Sequence, residues 1–119
     1  MQSRGRSKMK NFKEFDKFVE LVEEGTKELA KNTLRGYKDE ALADAKVFLE
    51  SSKDDARRWS KLLYKGELTQ EDYEWLVLSK KDVVELQLLK DAGLAAVRID
   101  RFKHALINLV IDTAFDVFV

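Results

Sequence analysis

The chain contains no cysteine and no proline, and only five of its 119 residues are glycine. The lack of cysteine excludes disulfides, thiolate metal sites and cysteine nucleophiles, and it is compatible with a reducing cytoplasm. The lack of proline and the low glycine content leave few residues that favour turns, which argues against many short strands. Charged residues make up 37% of the chain and hydrophobic residues 45%, a combination typical of amphipathic helices. We therefore expect an all-α protein.

The sequence has no overall excess of charge of either sign, because 22 basic residues balance 22 acidic ones. Four basic residues and no acidic residue fall within residues 1–10, so residues 11–119 carry a net charge of −4. A mildly acidic body argues against nucleic-acid binding by the folded part. We expect residues 1–10 to be a disordered basic tail or a cloning remnant, and residues 11–119 to form a single helical-bundle domain.

The strongest periodic pattern lies in the middle of the chain. Its residues recur at intervals of three and four and repeat every eleven residues, as in coiled coils with little supercoiling, which predicts a nearly straight helix over residues 37–65. They are Tyr37, Ala41, Ala45, Phe48, Ser52, Ala56, Trp59 and Leu63. Gly66 can end this helix, and Thr69 can cap the next one. The short loop predicts an antiparallel hairpin whose second helix covers about residues 70–99.

Four aromatic residues flank the loop of the predicted hairpin. Trp59 and Trp75 lie at equal distances from the loop along the chain, and Tyr64 and Tyr73 lie closer to it. Because the axes of packed helices are only about 8–10 Å apart, we expect these side chains to form an aromatic plug at one end of the hairpin.

Two glycines leave alternatives open. An N-terminal helix at about residues 12–35 contains Gly25, which predicts either close approach of a neighbouring helix or a bend. Gly93 can end the second helix of the hairpin, with Leu94 packing back on Leu89. The apolar composition of residues 94–99 nevertheless favours continuation of the helix with a bend.

The C-terminal helix, at about residues 100–118, is the most apolar part of the chain. Residues 105–119 would span only about 23 Å as a helix, which is too short to cross a bilayer. A helix that is apolar over so much of its surface lies at the centre of a fold or is shared between subunits. We therefore expect a homo-oligomer, a dimer or higher, in which this helix packs against other helices.

A narrow polar ribbon follows this helix, since His104, Asn108, Asp112 and Asp116 recur every four residues. We interpret the ribbon as a solvated edge. The alternative is a small-ligand or ion pocket lined by His104, Asn108 and Asp112, with Arg101 nearby. A single histidine among carboxylates lacks the partners found in zinc sites, and no phosphate-binding loop or nucleophile motif occurs. We predict no catalytic, cofactor-binding or metal-binding residue.

The favoured function is a non-enzymatic, self-associating helical scaffold or adaptor in the cytoplasm, able to bind a partner protein. One alternative is a peripheral membrane or lipid-interacting protein, suggested by the phenylalanine-rich first helix beside basic residues 1–10. The other is a small-ligand-binding bundle that uses the ribbon around His104.

Overall fold

The computed structural model describes residues 13–80 and 85–119, and in these ranges the chain forms six α-helices packed as a bundle, with no strand. The helices are α1 (Lys13–Thr33), α2 (Lys38–Ser51), α3 (Lys53–Tyr64), α4 (Gln70–Ser79), α5 (Gln87–Asp91) and α6 (Ala96–Phe118). A 3-10 turn (Arg35–Tyr37) joins α1 to α2. The predicted all-α helical bundle is confirmed. The predictions for residues 1–10 lie outside the described residues.

The two longest helices, α1 and α6, make the most extensive contact between any two elements. Gly25 lies in this contact, where an added Cβ would stand 2.7 Å from a methyl carbon of Leu109. At another point of the contact, the ring centres of Phe18 and Phe118 are 5.4 Å apart. Helix α1 continues through Gly25 without interruption, and this glycine permits the close packing against α6.

Helix α6 buries its apolar side chains against other helices of the same chain. It contacts α1, α3, α4 and α5. Its buried apolar residues are Phe102, Leu106, Ile107, Val110, Ile111, Ala114 and Phe118. The expectation that this helix is sheltered by others is confirmed, and the shelter lies within one chain. The apolar surface that motivated the homo-oligomer is thus largely covered without a second copy, and the homo-oligomer stays a prediction.

The first arm of the predicted hairpin is interrupted at Ser52, so the single helix predicted over residues 37–65 is wrong and the arm consists of α2 and α3. Ser52 has φ −102° and ψ 2°, outside the α-helical region. The Ser51 hydroxyl donates a hydrogen bond to the carbonyl oxygen of Phe48 at 2.9 Å, and the Ser52 N–H donates to the same oxygen at 3.0 Å. Serine side chains that share helix carbonyls in this way favour bends, and the interruption lies directly beside this bond.

In the loop between α3 and α4, Gly66 ends one helix and Thr69 caps the next, as predicted. Gly66 has φ +78°, its N–H donates to Leu63 O at 3.1 Å, and the Glu67 N–H donates to Leu62 O at 2.8 Å. These two bonds form the helix-ending motif that glycine favours. The Thr69 hydroxyl accepts a hydrogen bond from the Asp72 N–H at 3.0 Å and so caps α4.

The second helix predicted over residues 70–99 is wrong, because α4 ends at Ser79, α5 covers only Gln87–Asp91, and the same helix-ending motif occurs at Gly93. Gly93 has φ +89°, its N–H donates to Lys90 O at 3.0 Å, and the Leu94 N–H donates to Leu89 O at 3.1 Å. Leu94 is buried next to this turn. Its apolar character therefore reflects packing of the turn on the core, and α6 begins independently at Ala96.

The predicted aromatic plug does not form as a buried cluster. Tyr73 is fully buried, but Trp75 is 69% exposed and Tyr64 is 50% exposed. Helix α4 faces the core with Tyr73 and Val77. Since two residues correspond to about 200° of rotation in an α-helix, Trp75 points away from the core.

Candidate functional site

An apolar groove, here called the α1–α2 groove, opens between α1 on one side and α2 and α3 on the other. Its volume is about 310 Å³, within the range of pockets that hold ligands. The apolar lining comes from Phe15, Phe18, Val19 and Val22 of α1, and from Leu42, Ala45, Leu49 and Ala56 of α2 and α3. Four of these residues (Phe15, Phe18, Val22 and Ala45) are buried at the floor, and the other four are partly exposed, so the groove is an apolar recess that lies open on one side.

Side-chain size explains why the groove is not filled. The arm formed by α2 and α3 faces α1 partly with the small residues Ala45 and Ala56. On the opposite wall, Phe15 and Phe18 contact each other with ring centres 5.6 Å apart, and Phe18 also contacts Phe118 of α6. Small residues in a helix stripe can let a facing helix approach closely. Here they leave space that side chains of α1 do not occupy.

The rim of the groove carries charges of both signs. Helix α1 contributes Glu23 and Lys27, and the facing arm contributes Lys46, Glu50 and Lys53. All five side chains belong to exposed residues. An apolar floor within a mixed polar rim is typical of surfaces that bind amphipathic partners.

A cluster of charges around Trp59 holds the C-terminal end of α4 against α3. The Asp55 carboxylate accepts hydrogen bonds from Lys80 Nζ at 2.6 Å and from an Arg58 guanidinium nitrogen at 2.9 Å. Lys80 Nζ also lies 5.6 Å from the ring centre of Trp59, within range of a cation–π interaction. The hydrogen bonds from Lys80 and Arg58 hold the pKa of Asp55 below its ordinary value of 3.8. The cluster stabilises the fold and leaves Asp55 ionised.

A buried hydrogen bond joins α3 to α4 at the core. The Ser60 and Tyr73 hydroxyl oxygens are 3.2 Å apart, and both residues are fully buried. Burial raises the pKa of the Tyr73 phenol to about 12, against a smaller opposing effect of the bond to Ser60. A phenol that stays protonated to such high pH cannot serve as a general base near neutrality.

Asp44 is a buried carboxylate with a structural role that the sequence pattern did not reveal. Its two oxygens accept hydrogen bonds from the backbone N–H groups of Leu88 at 3.0 Å and Leu89 at 2.9 Å. These groups lie in the first turn of α5, whose own N-cap residue, Leu86, offers no side-chain acceptor. Asp44 therefore caps α5 from another helix. The only sequence signal was an acidic residue beside the apolar stripe of α2.

The polar ribbon of α6 faces solvent, because His104, Asn108, Asp112 and Asp116 are all exposed. His104 Nδ1 lies 3.0 Å from the carbonyl oxygen of Asp100, one turn earlier in α6. Arg101 is also exposed. The structure thus places the ribbon as a solvated edge and does not enclose it in a buried network. Within residues 13–80 and 85–119, no group of three or more His, Asp or Glu side chains is arranged to hold a metal ion.

None of the helices in the described part of the chain is both long enough and apolar enough to cross a membrane. Comparison of the chain with protein-family models, with curated proteins and with solved structures found no match in any of the three.

Proposed function

We propose that the protein is a non-enzymatic helical adaptor whose α1–α2 groove binds one amphipathic helix of a partner protein. The observation that supports this function is the groove itself, a preformed apolar channel between two packed helical segments. A helix laid in such a channel buries its apolar face in the way that helices pack in bundles.

The length of the groove fits a short helix. Its lining on α1 extends from Phe15 to Lys27, which corresponds to about 18 Å of helix. A helix of about 12 residues has this length and presents apolar side chains to one side at positions i, i+3 or i+4, and i+7. The volume of about 310 Å³ accommodates a few such side chains.

The charges at the rim favour a protein helix over a membrane surface. Binding to anionic lipids depends on a basic surface around the apolar contact. The groove instead has Glu23 and Glu50 among its lysines, and these acidic side chains would repel anionic headgroups. An amphipathic helix with both signs of charge along its flanks can match such a rim.

The occupant is proposed to be a different protein, because no long amphipathic helix is left unpacked within residues 13–80 and 85–119. The two longest helices, α1 and α6, already bury their apolar faces in the core. A second copy would have to unfold part of its own core to donate one of them.

Selection from a display library of amphipathic 14-residue helices, with the full chain as target, tests the proposal. Fluorescence anisotropy with the selected peptides then compares two variants of α2. Leu49→Glu places a charge in the groove, whereas Val47→Glu makes the same kind of change at an exposed position that does not line it. We expect Leu49→Glu to weaken binding at least about tenfold and Val47→Glu to change it less than about twofold. Enrichment of no peptide, or equal losses with both variants, would refute the groove as a helix-binding site.

A further inference from the structure

Trp75 occupies an unusual position for a large aromatic side chain. It lies on the face of α4 opposite the buried residues Tyr73 and Val77, and it is 69% exposed. A tryptophan this exposed contributes little burial to the fold, whereas tryptophan is enriched among the residues that contribute most to binding at protein interfaces.

The residues around Trp75 have the same spacing as a carboxylate–tryptophan pair that binds a cation elsewhere in the protein. In α3, Asp55 precedes Trp59 by four residues, and the pair binds the ammonium group of Lys80 between carboxylate and ring. In α4, Glu71 precedes Trp75 by the same four residues. Residues four apart lie on the same face of a helix, so this second pair can also present a carboxylate beside an indole ring.

Among the residues that the structure describes, no cation is bound by the second pair. Within residues 13–80 and 85–119, neither Glu71 nor Trp75 makes an ion pair, a side-chain hydrogen bond or a ring contact. Helix α4 also carries Asp72 and Glu74 and contains no basic residue in its last turn, so its outward surface is acidic. A cation bound there would gain both charge complementarity and a cation–π interaction.

We propose that the Glu71–Trp75 pair is a docking site for a lysine or arginine side chain of a partner protein. Leu78 follows Trp75 by three residues and is 38% exposed, so it lies beside the pair and can receive an apolar side chain of the same partner segment. The partner is therefore a basic segment in which a cationic residue and an apolar residue lie one helical turn apart. This site is separate from the α1–α2 groove, so the proposal does not depend on whether the groove binds a helix.

Nuclear magnetic resonance of the ¹⁵N-labelled full chain tests the proposal with a defined probe. The probe is an amidated synthetic peptide that carries two Arg-Ala-Ala-Leu units. The two tryptophans give two indole N–H signals, which Trp59→Phe and Trp75→Phe assign. We expect the peptide to shift the Trp75 signal in a saturable way and to leave the Trp59 signal in place.

Two isosteric variants separate the pair from general charge attraction. Glu71→Gln removes the carboxylate next to Trp75, and Glu74→Gln removes an equal charge from another exposed position of α4. We expect Glu71→Gln to weaken peptide binding about fivefold and Glu74→Gln by less than about twofold. Trp75→Ala should abolish saturable binding.

Three results would overturn the proposal. The first is an unmoved Trp75 signal at saturating peptide. The second is an equal loss of binding in Glu71→Gln and Glu74→Gln, which would indicate general attraction to an acidic helix. The third is a shift of the Trp75 signal when salt is added without peptide, with a size that does not change with protein concentration. Salt would then be displacing a cation that the same chain supplies.

Discussion

Hydrogen bonds made by single side chains join parts of this bundle that are separated in the sequence. Asp44 and Leu89 are 45 positions apart, yet one carboxylate satisfies two N–H groups at the start of α5. Ser60 and Tyr73 form a buried bond across the loop between α3 and α4. Helix α5 has only five residues and no capping side chain of its own, so its stability depends on such tertiary contacts.

Removal of the Asp44 carboxylate should destabilise the protein strongly. Asp44→Ala leaves two N–H groups at the α5 terminus without their charged acceptor, and we expect the free energy of unfolding to fall by about 2–3 kcal/mol. Urea denaturation measures this loss. Glu50→Ala removes an exposed carboxylate from the same helix and should change stability by less than about 0.5 kcal/mol. Equal effects of the two variants would contradict the capping role.

Tyr73 should make the stability depend on pH in the alkaline range. An unfolded chain ionises this phenol near pH 10, whereas burial raises its pKa to about 12 in the folded protein. The unfolded state therefore binds fewer protons between these values, and the free energy of unfolding falls as pH rises from about 10 to 12. Two pKa units correspond to roughly 2–3 kcal/mol.

The variant Tyr73→Phe lacks this titration. Urea denaturation at several pH values should show that the stability of the parent protein relative to Tyr73→Phe is constant below about pH 9 and falls above it. Tyr64→Phe, at a half-exposed tyrosine, should keep the alkaline loss seen in the parent. A constant difference between the parent and Tyr73→Phe up to pH 11 would show that the phenol is not held protonated by the fold.

For the helices, single residues such as a glycine or a capping threonine predicted the helix ends correctly. Longer patterns, such as a periodic stripe or an apolar run, did not. Gly66 and Thr69 end α3 and cap α4 as predicted, because these signals act through neighbouring backbone groups. The eleven-residue stripe predicted one straight helix, but the arm is interrupted at Ser52, next to a Ser51 hydroxyl that shares the Phe48 carbonyl oxygen. At Gly93 the local motif was present in the sequence, and the apolar residues after it were wrongly interpreted as more of the same helix.

Gly93 and Gly36 form a matched pair that tests whether a helix-ending turn depends on its glycine. Gly93 has φ +89°, which a residue with a Cβ adopts at a cost of about 1–2 kcal/mol, so Gly93→Ala should lower stability by this amount. Gly36 lacks a positive φ, and an added Cβ there meets nothing within 4 Å. Gly36→Ala should therefore change stability by less than about 0.5 kcal/mol or increase it. Thermal or urea unfolding of both variants measures the difference, and equal effects would argue against the turn at Gly93.

For the whole molecule, the central question is how the most apolar helix is covered. Helix α6 makes its contacts with α1, α3, α4 and α5 of its own chain, in a bundle with principal extents of 54 × 24 × 21 Å. Helix α6 keeps Val97 exposed near its start, and other exposed apolar surface lies at Trp75 and at the partly exposed lining of the α1–α2 groove. Binding surfaces are thus expected on α1, α2 and α4, and not on α6.

The mass in solution tests this distribution of apolar surface. Because α6 is covered within the chain, we expect sedimentation equilibrium at low micromolar concentration to give the mass of one chain, 13.8 kDa. A mass of two or more chains would instead support the homo-oligomer predicted from the sequence. In that case, Leu49→Glu and Trp75→Ala would show whether the groove or the face of α4 forms the contact between copies.

The sequence by itself determined the helical class, the loop at Gly66 and the solvated ribbon on α6, because periodicity and capping depend on residues close together in the chain. Only the tertiary structure decided that α6 is sheltered within one molecule, that Asp44 caps α5, and that Ala45 and Ala56 leave a groove beside α1. These features depend on which helices meet and on how well their side chains fill the space between them. Spacing along one helix does not specify either of these.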